Sequence, residues 1–133
     1  MLSVWITGAS SGIGEACAYR YAEEGARLVL TSSSVNRLEP VAARCRELGA
    51  TEVNILPFDL TCLDGIDTLT DKAWDAMKGI DIVMLNAGIS QRTNVEDTSM
   101  EMVRKIMEIN YFAPVAIAKR LLPKMVGRGY GKI

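Results

Sequence analysis

Short apolar runs alternate along this chain with longer segments in which apolar residues recur at helical spacing. The runs that predict strands are residues 2–7, 27–31, 53–58 and 80–85. The segments that predict helices are residues 12–24 and 37–48, with a weaker helix at residues 63–77. Because strands that alternate with helices build a parallel sheet through right-handed crossovers, we predict an α/β fold with helices on both faces of a doubly wound sheet.

The last third of the chain predicts a long helix followed by a new strand. Ser99 is placed to cap the helix, and helical periodicity then continues for about 25 residues to Met125. Three glycines then interrupt the pattern, and Lys132 with the final residue resembles the opening of a fifth strand. We therefore expect one domain, residues 1–133, that is truncated after about four strands and the start of a fifth.

Composition narrows the classes of function. Apolar residues make up 49% of the chain and charged residues 23%, as in ordinary globular proteins. Fifteen basic residues stand against 16 acidic ones without a basic cluster, so we expect no nucleic-acid partner. No apolar stretch approaches the roughly 20 residues of a membrane span, and no secretory signal precedes the first strand. We therefore expect no membrane partner and a cytoplasmic location.

The chemistry-bearing residue types exclude some sites. The chain has no histidine, so it cannot build a Ser-His-Asp triad or a His-ligated zinc site, and we expect no metal. Its three cysteines, Cys17, Cys45 and Cys62, are scattered without metal-ligand spacing, and we expect them to be buried free thiols.

A glycine-rich turn joins the first predicted strand to the first helix. It reads Thr-Gly-Ala-Ser-Ser-Gly-Ile-Gly and begins at Thr7. Gly8 permits a sharp exit from the strand, Gly12 lets backbone N–H groups approach a pyrophosphate, and Gly14 lets the helix pack closely on the sheet. The helix N-terminus also carries a partial positive charge that favours anions. The residues expected to contact a bound dinucleotide here are Gly8, Ser10, Ser11, Gly12, Ile13 and Gly14.

This turn resembles the TGxxxGxG signature of the classical short-chain dehydrogenases/reductases. Three further landmarks of that family follow in order: Asp59-Leu60 after the third strand, Leu85-Asn86-Ala87-Gly88 after the fourth, and Asn110 in the long helix. The resemblance covers essentially the whole chain and implies a Rossmann-type fold that binds NAD(P).

By that resemblance, Asp59 accepts a hydrogen bond from the adenine amino group, and the backbone of Leu60 lies at the edge of the adenine ring. Asn86, Ala87 and Gly88 then line the ribose and phosphate side of the cofactor. Leu85 departs from the family, which usually has Asn there, so that side chain's hydrogen bonding is lost.

Asn110 interrupts an apolar helix face, and the resemblance assigns it to a catalytic Asn-Ser-Tyr-Lys tetrad in which its main-chain carbonyl holds a water. Pro114 supports this assignment from first principles. It lacks an N–H and so cannot donate to the carbonyl of Asn110 four residues before it. We predict a kink at this point; ordinary helix distortion without a functional role is the alternative.

The end of the second strand bears on the choice of cofactor. NAD-dependent relatives have an Asp there that binds the ribose 2′-hydroxyl, whereas this chain has a run of serines. The hydroxyls of Ser32 and Ser33 and the guanidinium of Arg37 suit a 2′-phosphate, so NADP(H) is favoured over NAD(H). Alternatively, the serines cap the helix that begins near Arg37.

Two functions remain open. The first is an oxidoreductase that moves hydride between nicotinamide and a small-molecule carbonyl or alcohol, with this chain supplying the cofactor site and Asn110. The second is a non-catalytic nucleotide-binding or interaction module. The family's catalytic Ser and Tyr-x-x-x-Lys are absent from the chain, which we expect to be inactive alone. The resemblance also implies a homo-oligomer, a dimer or tetramer, when the protein is intact.

Overall fold

A computed structural model describes all residues from Met1 to Ile133. It contains one four-stranded parallel sheet with the strand order β3-β2-β1-β4. The strands are β1 (Ser3–Thr7), β2 (Arg27–Thr31), β3 (Glu52–Ile55) and β4 (Ile82–Met84). The predicted α/β class and the doubly wound parallel sheet are confirmed.

Five helices flank this sheet, and each face has its own core. The helices are α1 (Gly12–Glu23), α2 (Val35–Leu48), α3 (Ile66–Met77), α4 (Met100–Met107) and α5 (Ala113–Arg128). One buried cluster joins α1 and α2 to Val4 and Ile6, and the other joins α3 and α5 to Trp5. Successive residues of β1 therefore point to opposite cores, as the period of two requires. None of the helices is long and apolar enough to cross a membrane.

The central strand β1 is buried along its whole length, and it holds a polar contact in the core. The indole Nε1 of Trp5 donates to Oγ1 of Thr31 at 2.9 Å, and both residues are fully buried. The backbone carbonyl of Thr31 also accepts from the N–H of Ala9 at 3.2 Å. Thr31 thus ties the end of β2 to the centre of the sheet and to the turn after β1.

Helix α2 begins at Val35, two residues before the predicted start. The hydroxyl of Ser34 accepts from the N–H of Arg37 at 3.3 Å and caps the helix. The alternative that the serines cap this helix therefore holds for Ser34, but the helix begins directly after it. Gly49, which ends α2, has φ of +114°, and Gly25 after α1 has φ of +76°, so both adopt the left-handed conformation that glycine favours at the end of a helix.

Two strands are shorter than predicted. The third strand was predicted over residues 53–58 and ends at Ile55, although the N–H groups of Leu56 and Phe58 still donate to the carbonyls of Leu30 and Ser32, both at 2.9 Å. The fourth was predicted over residues 80–85. Beyond Met84 the side chain of Thr7 replaces the ladder, because its Oγ1 donates to the Met84 carbonyl and accepts from the N–H of Ala87.

The two predicted helices in the second half of the chain are each subdivided. The weaker helix opens with a 3₁₀ turn at Leu63–Gly65 before α3. The long helix starts at Met100 with Ser99 as its N-cap, as predicted, and continues to Arg128. A π-helical turn at Glu108–Phe112 separates α4 from α5, and the N–H of Ala113 there donates to the Glu108 carbonyl five residues back.

The chain ends beside the sheet edge at β4. Lys132 forms a parallel bridge with Ile82, its N–H donates to the Asp81 carbonyl at 2.9 Å, and its carbonyl accepts from the N–H of Val83 at 3.0 Å. This is the pairing expected of an opening fifth strand. Of the three cysteines only Cys45 is buried, and burial raises the pKa of its thiol to about 11. The expectation of burial was wrong for Cys62, which is exposed beside the 3₁₀ turn.

The contact between Trp5 and Thr31 predicts a stability coupling. Either Trp5→Phe or Thr31→Val leaves one buried polar group unpaired, at a cost of about 1–3 kcal/mol. The double variant removes both groups, so we expect it to lose about 1 kcal/mol less unfolding free energy than the sum of the single losses. Urea denaturation of the four proteins measures this; strictly additive losses would show that the hydrogen bond contributes nothing.

Candidate functional site

A cleft of about 540 Å³ opens at the carboxyl ends of the strands, and we call it the strand-end cleft. Open α/β sheets bind ligands at this edge. Its lining consists of Gly8, Ser10, Ser11, Ile13, Ser32, Ser33, Arg37, Phe58, Asp59, Leu60, Asn86, Ala87, Gly88, Ile89, Lys105 and Ile109. All the residues predicted to bind a dinucleotide are therefore brought together, except Gly12 and Gly14, which lie in the turn but not on the cleft surface.

The glycine turn makes a close approach that only glycine permits. A Cβ on Gly14 would lie 2.2 Å from the carbonyl oxygen of Gly8, and one on Gly8 would lie 2.8 Å from Cα of Ala87. Gly8 also has φ of +67°, in the left-handed region. Gly14 therefore does not line the cleft itself. Because it has no side chain, it lets α1 pack closely against the turn.

The start of α1 keeps its N–H groups open. Ser11 is the N-cap residue, and its side chain makes no capping hydrogen bond. The first N–H groups of a helix have no partner within the helix, and here no side chain supplies one. The end of α1 at the cleft therefore suits an anion such as a phosphate.

Asn86 fastens the turn after β4 to the turn after β1. Its Nδ2 donates to the carbonyls of Thr7 and Gly8, both at 3.2 Å. The Thr7 hydroxyl joins the same two segments through Met84 and Ala87. The amide nitrogen of Asn86 is thus engaged by the backbone, which leaves its Oδ1 for a ligand. Sequence reasoning had not identified this part played by Thr7.

Asp59 presents one free carboxylate oxygen to the cleft. Its Oδ1 accepts from the N–H of Thr61 at 2.9 Å and from the Thr61 hydroxyl at 2.7 Å. The backbone hydrogen bond from Thr61, followed by the hydroxyl, lowers the pKa of Asp59 below its ordinary value. The group is therefore ionised at neutral pH, and no hydrogen bond within the chain occupies Oδ2.

The three serines after β2 divide two tasks. Ser34 caps α2, and the backbone N–H of Ser34 donates to the Ser32 hydroxyl at 3.3 Å. Ser33 is exposed on the cleft with its hydroxyl unpaired, and no ion pair engages the Arg37 guanidinium. The capping alternative therefore describes Ser34, whereas Ser33 and Arg37 are free to meet an anion.

Asn110 is exposed and does not line the cleft, but its side chain holds the backbone of Ile89, which does. Its Oδ1 accepts from the N–H of Ile89 at 2.8 Å, and its Nδ2 donates to the Ile89 carbonyl at 2.7 Å. The segment after Gly88 is thereby fixed to the π-helical turn. A kink was predicted at this point, and the structure has a π-helical turn that ends two residues before Pro114.

Four cleft residues were missed by sequence reasoning. Phe58 and Ile89 adjoin recognised landmarks, so their positions beside Asp59 and Gly88 could have indicated them. Lys105 and Ile109 lie four residues apart on the helix segment before Asn110, and that spacing places them on one face. Their contact with the cleft depends on how α4 packs, which no local pattern specifies.

The sequence of this chain matches the family described as short chain dehydrogenase over residues 3–133. The chain belongs to this family. Three of the four landmarks of this family line the strand-end cleft, and the fourth, Asn110, holds the backbone of Ile89 beside it.

Curated short chain dehydrogenase relatives are longer than this chain. Dehydrogenase/reductase SDR family member 7 of Homo sapiens is 42% identical over 133 residues, which cover 98% of this chain and 39% of the relative. The Drosophila melanogaster protein named Dehydrogenase/reductase SDR family protein 7-like is 38% identical over 136 residues, covering 98% of this chain and 41% of the relative. The chain thus spans about two-fifths of these relatives.

Solved short chain dehydrogenases share the fold. A short-chain dehydrogenase from Sphingobium yanoikuyae in complex with NADPH superposes with a TM-score of 0.88 at 34% identity, covering 98% of this chain and 51% of the other. A metagenomic short-chain oxidoreductase in complex with NADP gives a TM-score of 0.92 at 27% identity, covering 98% and 59%.

The close approach at Gly14 predicts a sharp contrast between two glycines. Gly14→Ala forces Cβ into backbone atoms, so we expect a loss of about 1–3 kcal/mol of unfolding free energy together with a loss of nucleotide binding. Gly127→Ala in α5 meets nothing within 4 Å and should instead stabilise the chain by about 0.5–1 kcal/mol. Thermal and urea unfolding measure both, and equal effects would contradict the geometry.

The pairing of Asn110 with Ile89 predicts local protection from hydrogen exchange. Asn110→Ala removes both hydrogen bonds, so we expect the Ile89 amide to exchange at least about tenfold faster. The Val83 amide, which donates to Lys132, serves as an internal reference and should not change. Exchange measured by NMR decides this, and an unaltered Ile89 rate would show that Asn110 does not hold this segment.

Proposed function

We propose that this chain is the cofactor-binding part of an NADP(H)-dependent oxidoreductase that transfers hydride between nicotinamide and a small-molecule carbonyl or alcohol. One observation carries the proposal. The strand-end cleft combines a glycine turn at an open helix N-terminus with an unpaired hydroxyl and guanidinium at the end of β2, where no carboxylate is present. The nicotinamide ring, when bound, supplies or accepts the hydride.

The donor and acceptor groups of the cleft fit the parts of a dinucleotide. The open N–H groups of α1 suit the pyrophosphate, and the absence of Cβ atoms at Gly8 and Gly14 lets the backbone come close enough. Oδ2 of Asp59 suits an amino group at the far end, and Asn86 Oδ1 suits a ribose hydroxyl.

The preference for NADP(H) rests on the chemistry at the end of β2. A 2′-phosphate carries negative charge and accepts hydrogen bonds, which Ser33 and Arg37 can donate. A carboxylate there would repel it, and residues Thr31 to Ser34 include none. Solved relatives that superpose on this chain hold NADPH or NADP, which supports the same preference.

Asn110 is the catalytic residue that we assign to this chain, through its main-chain carbonyl at the π-turn. Pro114 cannot donate to that carbonyl, so the sequence leaves it without the usual helical partner. The chain has no Tyr followed four residues later by Lys, and we infer that it binds cofactor without transferring hydride. Exposed apolar residues along α4 and α5, such as Met107 and Leu122, support a homo-oligomeric intact protein.

A titration with NADPH and with NADH, followed by nicotinamide fluorescence, tests the function. We expect micromolar binding with NADPH favoured. If a folded chain bound neither dinucleotide, the result would contradict the proposal and favour a non-catalytic interaction module.

Two substitutions test the preference at the end of β2. Arg37→Met should weaken NADPH binding about tenfold and leave NADH binding unchanged, because a hydrogen bond to a charged group contributes about 1.5 kcal/mol or more. Ser33→Asp should likewise weaken NADPH alone, by repulsion of the 2′-phosphate.

The matched control for these variants is Arg44→Met. Arg44 lies on the same helix as Arg37 but pairs with Glu47 away from the cleft, so its loss should alter neither affinity. Equal weakening of NADPH and NADH by Arg37→Met would remove the basis for the preference.

A further inference from the structure

Lys105 is a cleft residue that lies outside every landmark of the sequence. It projects from α4 and lines the strand-end cleft together with Ile109, one helical turn later. The side chain is exposed, and its ammonium group has no carboxylate within ion-pair distance. A long cationic side chain that lines a cleft and has no ion-pair partner is free to contact a bound ligand.

Cations outnumber anions among the charged side chains of the cleft, and Lys105 is one of them. The lining of the cleft contains three charged side chains, the cations Arg37 and Lys105 and the anion Asp59, whereas the chain as a whole has a net charge of −1. The cleft is therefore net positive on an acidic protein. Arg37 belongs to the β2 end of the cleft, so it does not explain why a second cation stands on α4.

Lys105 and Asp59 influence each other electrostatically without touching. The Lys105 charge contributes to lowering the pKa of Asp59, after the two hydrogen bonds from Thr61 and against the opposing effect of desolvation. Both side chains line the strand-end cleft, so the Lys105 ammonium faces the same cavity as the carboxylate whose Oδ2 makes no hydrogen bond within the chain.

The surroundings of this pair suit a flat aromatic base. Phe58, Leu60 and Ile109 provide apolar surface at the same end of the cleft, and the methylene groups of Lys105 extend that surface along α4. The only anionic acceptor there is Asp59. A base that enters the cleft would bury the Asp59 carboxylate further. Because water would then screen Asp59 less, a nearby positive charge would stabilise its ionised form more strongly.

We propose that Lys105 is a positioning residue for the adenine end of the cofactor, covering the base with its methylene groups and holding Asp59 to accept from the adenine amino group. This rests on the proposed function, since it requires a dinucleotide in the strand-end cleft. By this proposal α4 contributes a residue to the nucleotide site, in addition to the residues from the loops that follow the strands.

The experiment compares NADPH and NADH affinities of Lys105→Met with those of the unsubstituted chain. The matched control is Arg104→Met, which removes one positive charge from the adjacent exposed position of α4. We expect Lys105→Met to weaken both dinucleotides by the same factor, about three- to tenfold, and Arg104→Met to change neither. Lys105→Arg should retain most of the affinity, and thermal unfolding should be unchanged because Lys105 is exposed.

A double variant separates positioning through Asp59 from direct attraction of phosphate. In the Asp59→Asn background, Lys105→Met should have little further effect on either dinucleotide, because the carboxylate on which it acts is gone. Nicotinamide mononucleotide, which lacks adenine, should bind the Lys105→Met variant and the unsubstituted chain equally.

Three results would overturn the inference. They are unchanged affinities in Lys105→Met, a loss confined to NADPH that persists in the Asp59→Asn background, and an equal loss in the Arg104→Met control. Failure of the unsubstituted chain to bind either dinucleotide would instead overturn the proposed function, so the two failures are distinguishable.

Discussion

The close backbone approach between the turns after β1 and β4 is the constraint on which the rest of the site depends. A side chain on Gly8 would meet the backbone of Ala87, one on Gly14 would meet the Gly8 carbonyl, and Asn86 donates from the turn after β4 to the carbonyls of Thr7 and Gly8. The Thr7 hydroxyl completes the connection where the β4 ladder stops. Because these contacts fix the α1 N-terminus against the sheet, its open N–H groups face the cleft without a side chain in the way.

The remaining walls of the cleft are positioned by contacts further away. Thr31, held by Trp5 and by Ala9, sets the end of β2 from which Ser33 and Arg37 reach the cleft. On the other side Asn110 holds Ile89 to the π-turn, so that the backbone after Gly88 is anchored to the helix that also carries Lys105. The cleft is thus enclosed by groups fixed from both cores of the sheet, which gives a preorganised site.

Sequence reasoning succeeded where a local conformation needed a particular residue. The glycine turn and the Ser99 cap each follow from what one residue permits. It failed at the boundary of α2, which begins at Val35 directly after the Ser34 cap rather than near Arg37, and at the end of β4, where the Thr7 side chain replaces ladder hydrogen bonds. Lys105 and the partner of Asn110 depend on how α4 packs over the cleft, a tertiary property that no periodicity encodes.

The central claim is that the groups gathered at the strand ends bind one dinucleotide. The most direct test is to follow the backbone amide chemical shifts by NMR while NADPH is added. The account predicts shifts at the start of α1, at Ser33, at Thr61 and at Ile89, all saturating with one affinity. Shifts confined to other surfaces, or different affinities at the two ends of the cleft, would contradict it.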